Sequence, residues 1–105
     1  MTDDQQRATT TEEPNEDGIN FTAFVVSLAH TAAVHFGDIP DPHSGEKQPV
    51  NLLAAAQMIE ILTMLQEKTK GNLLPPESKL IDDLLYELRL RYVEAKDGEK
   101  RIITP

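Results

Sequence analysis

A long stretch without a charged side chain constrains the fold more than any other feature. It is INFTAFVVSLAHTAAVHFG at 19–37, in a sequence in which 27% of the residues are charged. Its apolar residues occupy every side of a helix, and such a helix has to be covered all round. Asn20 or Thr22 can cap its start, and Gly37 suits the left-handed conformation at a helix end. We therefore predict a helix over 21–36 that needs several packing partners.

A second helical pattern runs over 52–70. Asn51 is a good N-cap, and Gly71 follows the last periodic residues. The apolar positions of this segment cover a broad face rather than a narrow stripe.

A third helical pattern runs over 76–95, with two prolines in its first turn, where an amide donor is not needed. Glu87 and Arg91 are four residues apart and can pair on its surface. No segment alternates long enough to indicate a strand, so the fold class is all-α with three helices. Its apolar residues form one core-facing stripe, which consists of Leu80, Ile81, Leu84, Leu85, Leu88 and Tyr92.

The two ends of the chain lack an apolar pattern. Residues 1–19 contain six acidic residues against one arginine, and they cannot bury enough apolar surface to offset the entropy of ordering them. We predict a disordered acidic arm there and a short flexible tail over 96–105. The folded domain is then 20–95, a size at which a single core is only marginally stable.

Composition excludes several functional classes. The net charge is −8 and no long basic patch is present, so we expect no nucleic-acid binding. The start of the chain lacks a secretory signal, and the uncharged helix has polar residues and no basic flank, which disfavours stable membrane insertion. There is no cysteine to form a disulfide or hold a metal. We expect a protein in the cytoplasm.

Small residues recur every four positions along the first helix, a spacing that lets two helices approach closely. Together with the small size and the surplus of apolar surface, they predict a homodimer. The residues of the predicted dimer seam are Ala23, Ser27, Thr31, Ala29 and Ala33.

Three histidines are the candidate metal ligands. His30 and His35 are five apart and point about 140° away from each other on a helix, whereas helical ligand pairs are usually three or four apart. His43 lies in the following loop. Because no ligand spacing supports a site, we predict no metal and no cofactor, with His30 as an interior or interface residue.

The segment over 37–50 is longer than most connections between helices, which have about two to eight residues. Its prolines and the sequence DPHSG predict an Asx-initiated turn with Gly45 at positive φ. The spacing of its acids does not fit a calcium loop. If the chain has a partner-binding loop, its residues are Asp38, Asp41, His43 and Glu46.

No arrangement of residues indicates catalysis. The sequence has no nucleophile elbow, phosphate-binding loop or dinucleotide fingerprint, and Asp82 and Asp83 are adjacent on a helix and therefore diverge. We expect no enzymatic activity.

Three sequence blocks resemble one known family. They are IPDPHSGE at 39–46, EKTKGNL at 67–73 and YELRLRYVE at 86–94, and the chain between Phe21 and Glu94 is similar to the family known as domain of unknown function 1844. One departure is the sequence LPPE before the third helix, where family members usually have threonine and acidic residues. The resemblance implies a small helical bacterial protein and no established activity.

These observations favour a non-enzymatic homodimeric interaction or adaptor module with an unknown protein partner. One alternative is a small-molecule or metal-binding protein that uses the 37–50 loop and the histidines. A second alternative is a factor that associates peripherally with membranes.

Overall fold

The computed structural model describes residues 19–103, and their side chains as far as Glu99. Within this range the chain forms three helices and no strands, which confirms the all-α fold class. They are α1 (Phe21–His35), α2 (Leu52–Lys68) and α3 (Pro75–Ile103). Except for Ile19, the acidic arm predicted over 1–19 lies outside the described residues, and so do residues 104 and 105.

Helix α1 begins and ends through the residues predicted for both roles. The Asn20 side chain accepts a hydrogen bond of 2.8 Å from the amide of Ala23. At the other end Gly37 has φ +80°, and its amide donates to the carbonyl of Val34 at 2.9 Å. The amide of Asp38 donates to the carbonyl of Ala33 at 3.0 Å, which completes a Schellman motif.

Helix α2 is capped by Asn51, whose side chain accepts from the amide of Ala54 at 3.0 Å. It ends at Lys68, two residues before the predicted end. The Thr69 hydroxyl donates to the carbonyl of Leu65 at 2.7 Å, and Gly71 then turns the chain with φ +87°. A side chain that bonds back to the preceding turn in this way suits a helix terminus.

Helix α3 differs from its prediction at both ends. It begins at Pro75, because the amide of Leu74 donates to the Glu77 carboxylate at 2.9 Å and forms half of a capping box. The predicted end at Ala95 was wrong, and the helix continues through Gly98 to Ile103. A single glycine costs about 1 kcal/mol in a helix, and its neighbours are mostly good helix formers.

The three helices pack around one small core. Gln66 on α2 bonds to Asp82 on α3, and Arg89 bonds back to Thr63, so these two helices are antiparallel. The fully or nearly fully buried residues of this core come from all three elements and are Val25, Ala32, Phe36, Ala55, Leu62, Ile81, Leu85 and Leu88.

Within one chain helix α1 is covered only in part, mainly on the side that faces α2 and α3, although Val34 near its end is also buried on the other side, at 8% exposed. Its core-facing residues include Val25 and Ala32, both 0% exposed, whereas Phe24 is 49% and Val26 is 45% exposed. Two partner helices enclose only part of a third helix. Among residues 19–103, no helix is long and apolar enough to span a bilayer.

Candidate interaction surfaces

The 37–50 segment folds as a set of local turns. The Asp41 carboxylate accepts from the amide of His43 at 2.8 Å, and the Asp41 carbonyl accepts from the amide of Gly45 at 2.7 Å. Gly45 has φ +74°. These bonds confirm the predicted Asx turn. The segment closes where the amide of Asn51 donates to the carbonyl of His35 at 2.7 Å.

An ion pair joins this segment to α3. The guanidinium of Arg91 donates two hydrogen bonds to the Asp38 carboxylate, at 2.8 and 2.7 Å. The Cζ atom of Arg91 lies 5.3 Å from the centre of the Phe36 ring. We call these three residues the Asp38–Arg91 clasp. Hydrogen bonding from Arg91 lowers the pKa of Asp38 and outweighs the opposing effect of partial burial. Phe36 is buried, so the clasp fixes the start of the segment to the core.

The clasp could not be found from local spacing. Arg91 was predicted to pair with Glu87 on the same helix, but its guanidinium binds a residue 53 positions earlier. A bidentate geometry with a carboxylate, together with stacking on an aromatic ring, is stronger than a single exposed helical pair. Only the packing of α3 against the end of α1 brings these groups together.

The four residues predicted for a partner-binding loop do not form one polar cluster. The carboxylate of Asp38 binds Arg91, and that of Asp41 caps the turn. The side chains of His43 and Glu46 are exposed. At this loop only the side chains of His43 and Glu46 would be open to a partner, and their role in binding stays a prediction.

The histidines are separated in the structure. His30 and His43 are exposed, and His35 is partly buried at the end of α1. Across residues 19–99 no three histidine, aspartate or glutamate side chains are close enough to hold a metal ion.

The predicted dimer seam divides between two sides of α1. Ala23, Ser27 and Thr31 are exposed, whereas Ala29 packs against the core and Ala33 is partly buried. At about 100° per residue, the two sets cannot lie on one face. We define the outer face of α1 as the exposed part of its side opposite the core, which contains Ala23, Val26, Ser27, His30 and Thr31. It ends before Val34, which lies on the same side of the helix but is buried.

The hydroxyl groups of the outer face are already bonded within α1. The Ser27 hydroxyl donates to the carbonyl of Phe24 at 2.7 Å, and the Thr31 hydroxyl donates to the carbonyl of Ser27 at 3.1 Å. Covering a hydroxyl costs free energy when its donor is left without a partner. The outer face can therefore be covered without leaving these donors unpaired.

A second exposed apolar surface lies between α2 and α3. Tyr86, Leu90 and Val93 follow each other at spacings of four and three and are 68%, 48% and 62% exposed. They line a shallow groove of about 460 Å³ together with Gln66 and Arg89. This surface was not among the sequence predictions, although the spacing of the three apolar residues on one helix face was a signal for it.

The comparison with known proteins agrees with the resemblance of the three sequence blocks. The profile of the family described as "Domain of unknown function (DUF1844)" matches residues 18–94. The chain belongs to the DUF1844 family. The match covers more than half of this DUF1844 protein and includes α1, α2, the clasp and most of α3. No curated protein and no solved structure matches the chain.

Proposed function

We propose that this DUF1844 protein is a non-enzymatic interaction module of the bacterial cytoplasm that acts as a homodimer and binds a further protein partner. The observation that carries the proposal is the outer face of α1, which is uncharged and exposes apolar side chains. Val26 is 45% exposed, and Phe24 at the edge of this face is 49% exposed. Apolar surface that one chain leaves open is stabilised by association.

A second copy of the chain fits this face electrostatically. The segment 19–37 has no aspartate, glutamate, lysine or arginine, so two such faces can meet without bringing like charges together. A twofold dimer places the same patch of both copies in contact. Ala23 and Ser27 are small, and small side chains allow two helix axes to approach closely.

The size of the core also favours a dimer. The largest fully buried side chains are Phe36, Leu62, Ile81, Leu85 and Val25. Domains with so few buried residues and no disulfide commonly gain stability from oligomerisation. Helix α1 has 15 residues and is therefore about 22 Å long and about 10 Å wide. Its outer face is thus smaller than the roughly 800 Å² per partner of a standard interface, a size typical of weak and transient association.

The surface carboxylates support a non-enzymatic role. Asp82 bonds to Gln66, and Asp83 pairs with Lys79 at 2.9 Å on the exposed side of α3. General acid–base catalysis by carboxylates depends on a desolvated cleft in which they converge. These two aspartates instead have separate partners on an open surface.

Sedimentation velocity over a range of micromolar concentrations tests the homodimer. We expect the mass of a dimer at high concentration and a shift to monomer in Val26→Glu, because that change brings two carboxylates into the interface. Leu53→Glu is the matched control, since Leu53 is 72% exposed on α2, outside the outer face. A wild-type monomer at every concentration, or equal effects of both variants, would contradict the proposed dimer.

A further inference from the structure

Helix α3 has exposed apolar residues on the side that adjoins its groove with α2. Tyr86, Leu90 and Val93 lie within about 60° of one another around the helix, so they form one continuous surface, which we call the α3 stripe. Tyr86 lies about 140° around the helix from the fully buried Ile81, so the stripe is separate from the core. Exposed apolar surface that lines a groove is typical of an interaction site.

Exposed charges of opposite sign lie on the two borders of the α3 stripe. At about 100° per residue, Glu87 and Glu94 lie on one border, and Arg89 and Lys96 lie on the other. Arg89 donates a hydrogen bond of 2.8 Å to the Thr63 hydroxyl on α2. The basic border is therefore the one next to α2, and the acidic border, which consists of Glu87 and Glu94, lies away from α2.

The acidic border can pair with an external cation. Within the described part of α3, Arg91 is the basic residue one helical turn from both glutamates, and its two hydrogen bonds go to the Asp38 carboxylate. Glu87 and Glu94 are seven residues apart, which corresponds to about 10 Å along the helix axis. The stripe thus has acidic groups on one border only, at a spacing that matches two turns of a helix.

We propose that the α3 stripe binds an amphipathic helix of another protein, whose basic edge pairs with Glu87 and Glu94. The inference rests on the partner-binding part of the proposed function, because it locates the further protein partner on α3. Apolar residues at spacings of three and four on such a helix can fill the groove between α2 and α3, a recurring mode of peptide recognition. Lysine or arginine residues seven positions apart then meet the acidic border.

Charge disfavours the other segments that could cover this surface. Residues 1–18 contain six acidic residues against one arginine, so they would bring like charge to the acidic border. An antiparallel second α3 would bring two acidic borders together. In a parallel pair, Arg89 would have to leave the Thr63 hydroxyl to reach a glutamate of the copy. The net charge of −8 also favours a basic partner.

Two designed helical peptides of about 18 residues, each about 27 Å long, serve as probes. Both have leucine at spacings of three and four on one face. The basic peptide has lysine seven positions apart on one edge, and the acidic peptide has glutamate there. Fluorescence anisotropy of each labelled peptide, titrated with the full chain, gives the dissociation constant. We expect about a tenfold preference for the basic peptide, and we expect the preference to reverse when Glu87→Lys and Glu94→Lys are combined.

Leu90→Gln tests the apolar contact without adding a charge. We expect it to weaken binding of the basic peptide about tenfold, because Leu90 is covered in the complex. Leu53→Gln is the matched control, since Leu53 is an exposed leucine of α2 that does not line the groove. Circular dichroism establishes that each variant is folded, and sedimentation without peptide measures the effect of Leu90→Gln on self-association, which we expect to be small.

The outcomes separate this inference from the proposed homodimer. Failure of the basic peptide to bind, equal affinity for both peptides, or equal effects of Leu90→Gln and Leu53→Gln overturns the inference and leaves the homodimer standing. Dissociation of the dimer by Leu90→Gln also overturns it, because a second copy would then cover the stripe. A wild-type monomer that still prefers the basic peptide contradicts the homodimer and supports the inference.

Discussion

The Asp38–Arg91 clasp can be removed from either side, which makes its contribution to stability measurable. Asp38→Ala deletes the carboxylate, and Arg91→Ala deletes the guanidinium with its stacking on Phe36. The two side chains are 39% and 33% exposed, so solvent screens part of their attraction. Exposed ion pairs contribute about 0.2–1 kcal/mol, and the bidentate geometry places this pair near the upper end of that range.

The two single substitutions should therefore lower the free energy of unfolding by different amounts. We expect Asp38→Ala to lower the free energy of unfolding by about 1 kcal/mol. Arg91→Ala removes the same pair and in addition a cation–π contact of about 0.5–1 kcal/mol, which gives a total near 2 kcal/mol. The double variant should resemble Arg91→Ala, because the ion pair can be lost only once. The coupling energy of this cycle is then about 1 kcal/mol.

Urea denaturation followed by helical circular dichroism measures the cycle, at fixed protein concentration because dimerisation would add to stability. The Lys79–Asp83 pair is the matched control, since its side chains are 76% and 61% exposed and its coupling should be smaller. Additive effects of Asp38→Ala and Arg91→Ala, or an equal coupling in the control pair, would refute the assignment of the clasp as a stabilising contact.

Three further changes test the core packing, the turns of the 37–50 segment and the pH dependence of stability by the same denaturation measurement. Leu62→Ala should cost about 2–5 kcal/mol because Leu62 is fully buried, whereas Leu53→Ala on the exposed side of α2 should change stability little. Gly37→Ala should destabilise more than Gly45→Ala; both have positive φ, but only at Gly37 would the added Cβ meet an atom within 4 Å, the Gln48 carbonyl oxygen at 3.2 Å. Because the pKa of Asp38 is lowered in the folded protein, the clasp contributes fully to the free energy of unfolding above the ordinary aspartate pKa of 3.8. This contribution is lost as the pH falls through the lowered pKa. Acidification in that range should therefore narrow the difference in the free energy of unfolding between wild type and Asp38→Asn.

Helix positions and turns were determined largely by the sequence itself. Asn20 and Asn51 cap helices because a short polar side chain can satisfy free amides of the first turn. Gly37 and Gly45 adopt positive φ where the sequence predicted it. These features depend on residues within a few positions of each other, so a local pattern is sufficient to predict them. The end of α3 was missed because the helix tolerates Gly98 among good helix formers.

Tertiary structure decided which side of each helix is covered and which charges meet. The composition of α1 indicated a need for partners, but only packing separated the buried Val25 and Ala32 from the exposed Val26. Asp38 and Arg91 are 53 positions apart, and no local period relates them. Long-range pairs depend on how whole helices pack, because the contact energy is gained only after the chain has closed the intervening loop. The sequence alone was thus sufficient for three helices and their turns, and the assembled bundle decided the clasp, the groove between α2 and α3, and the outer face of α1.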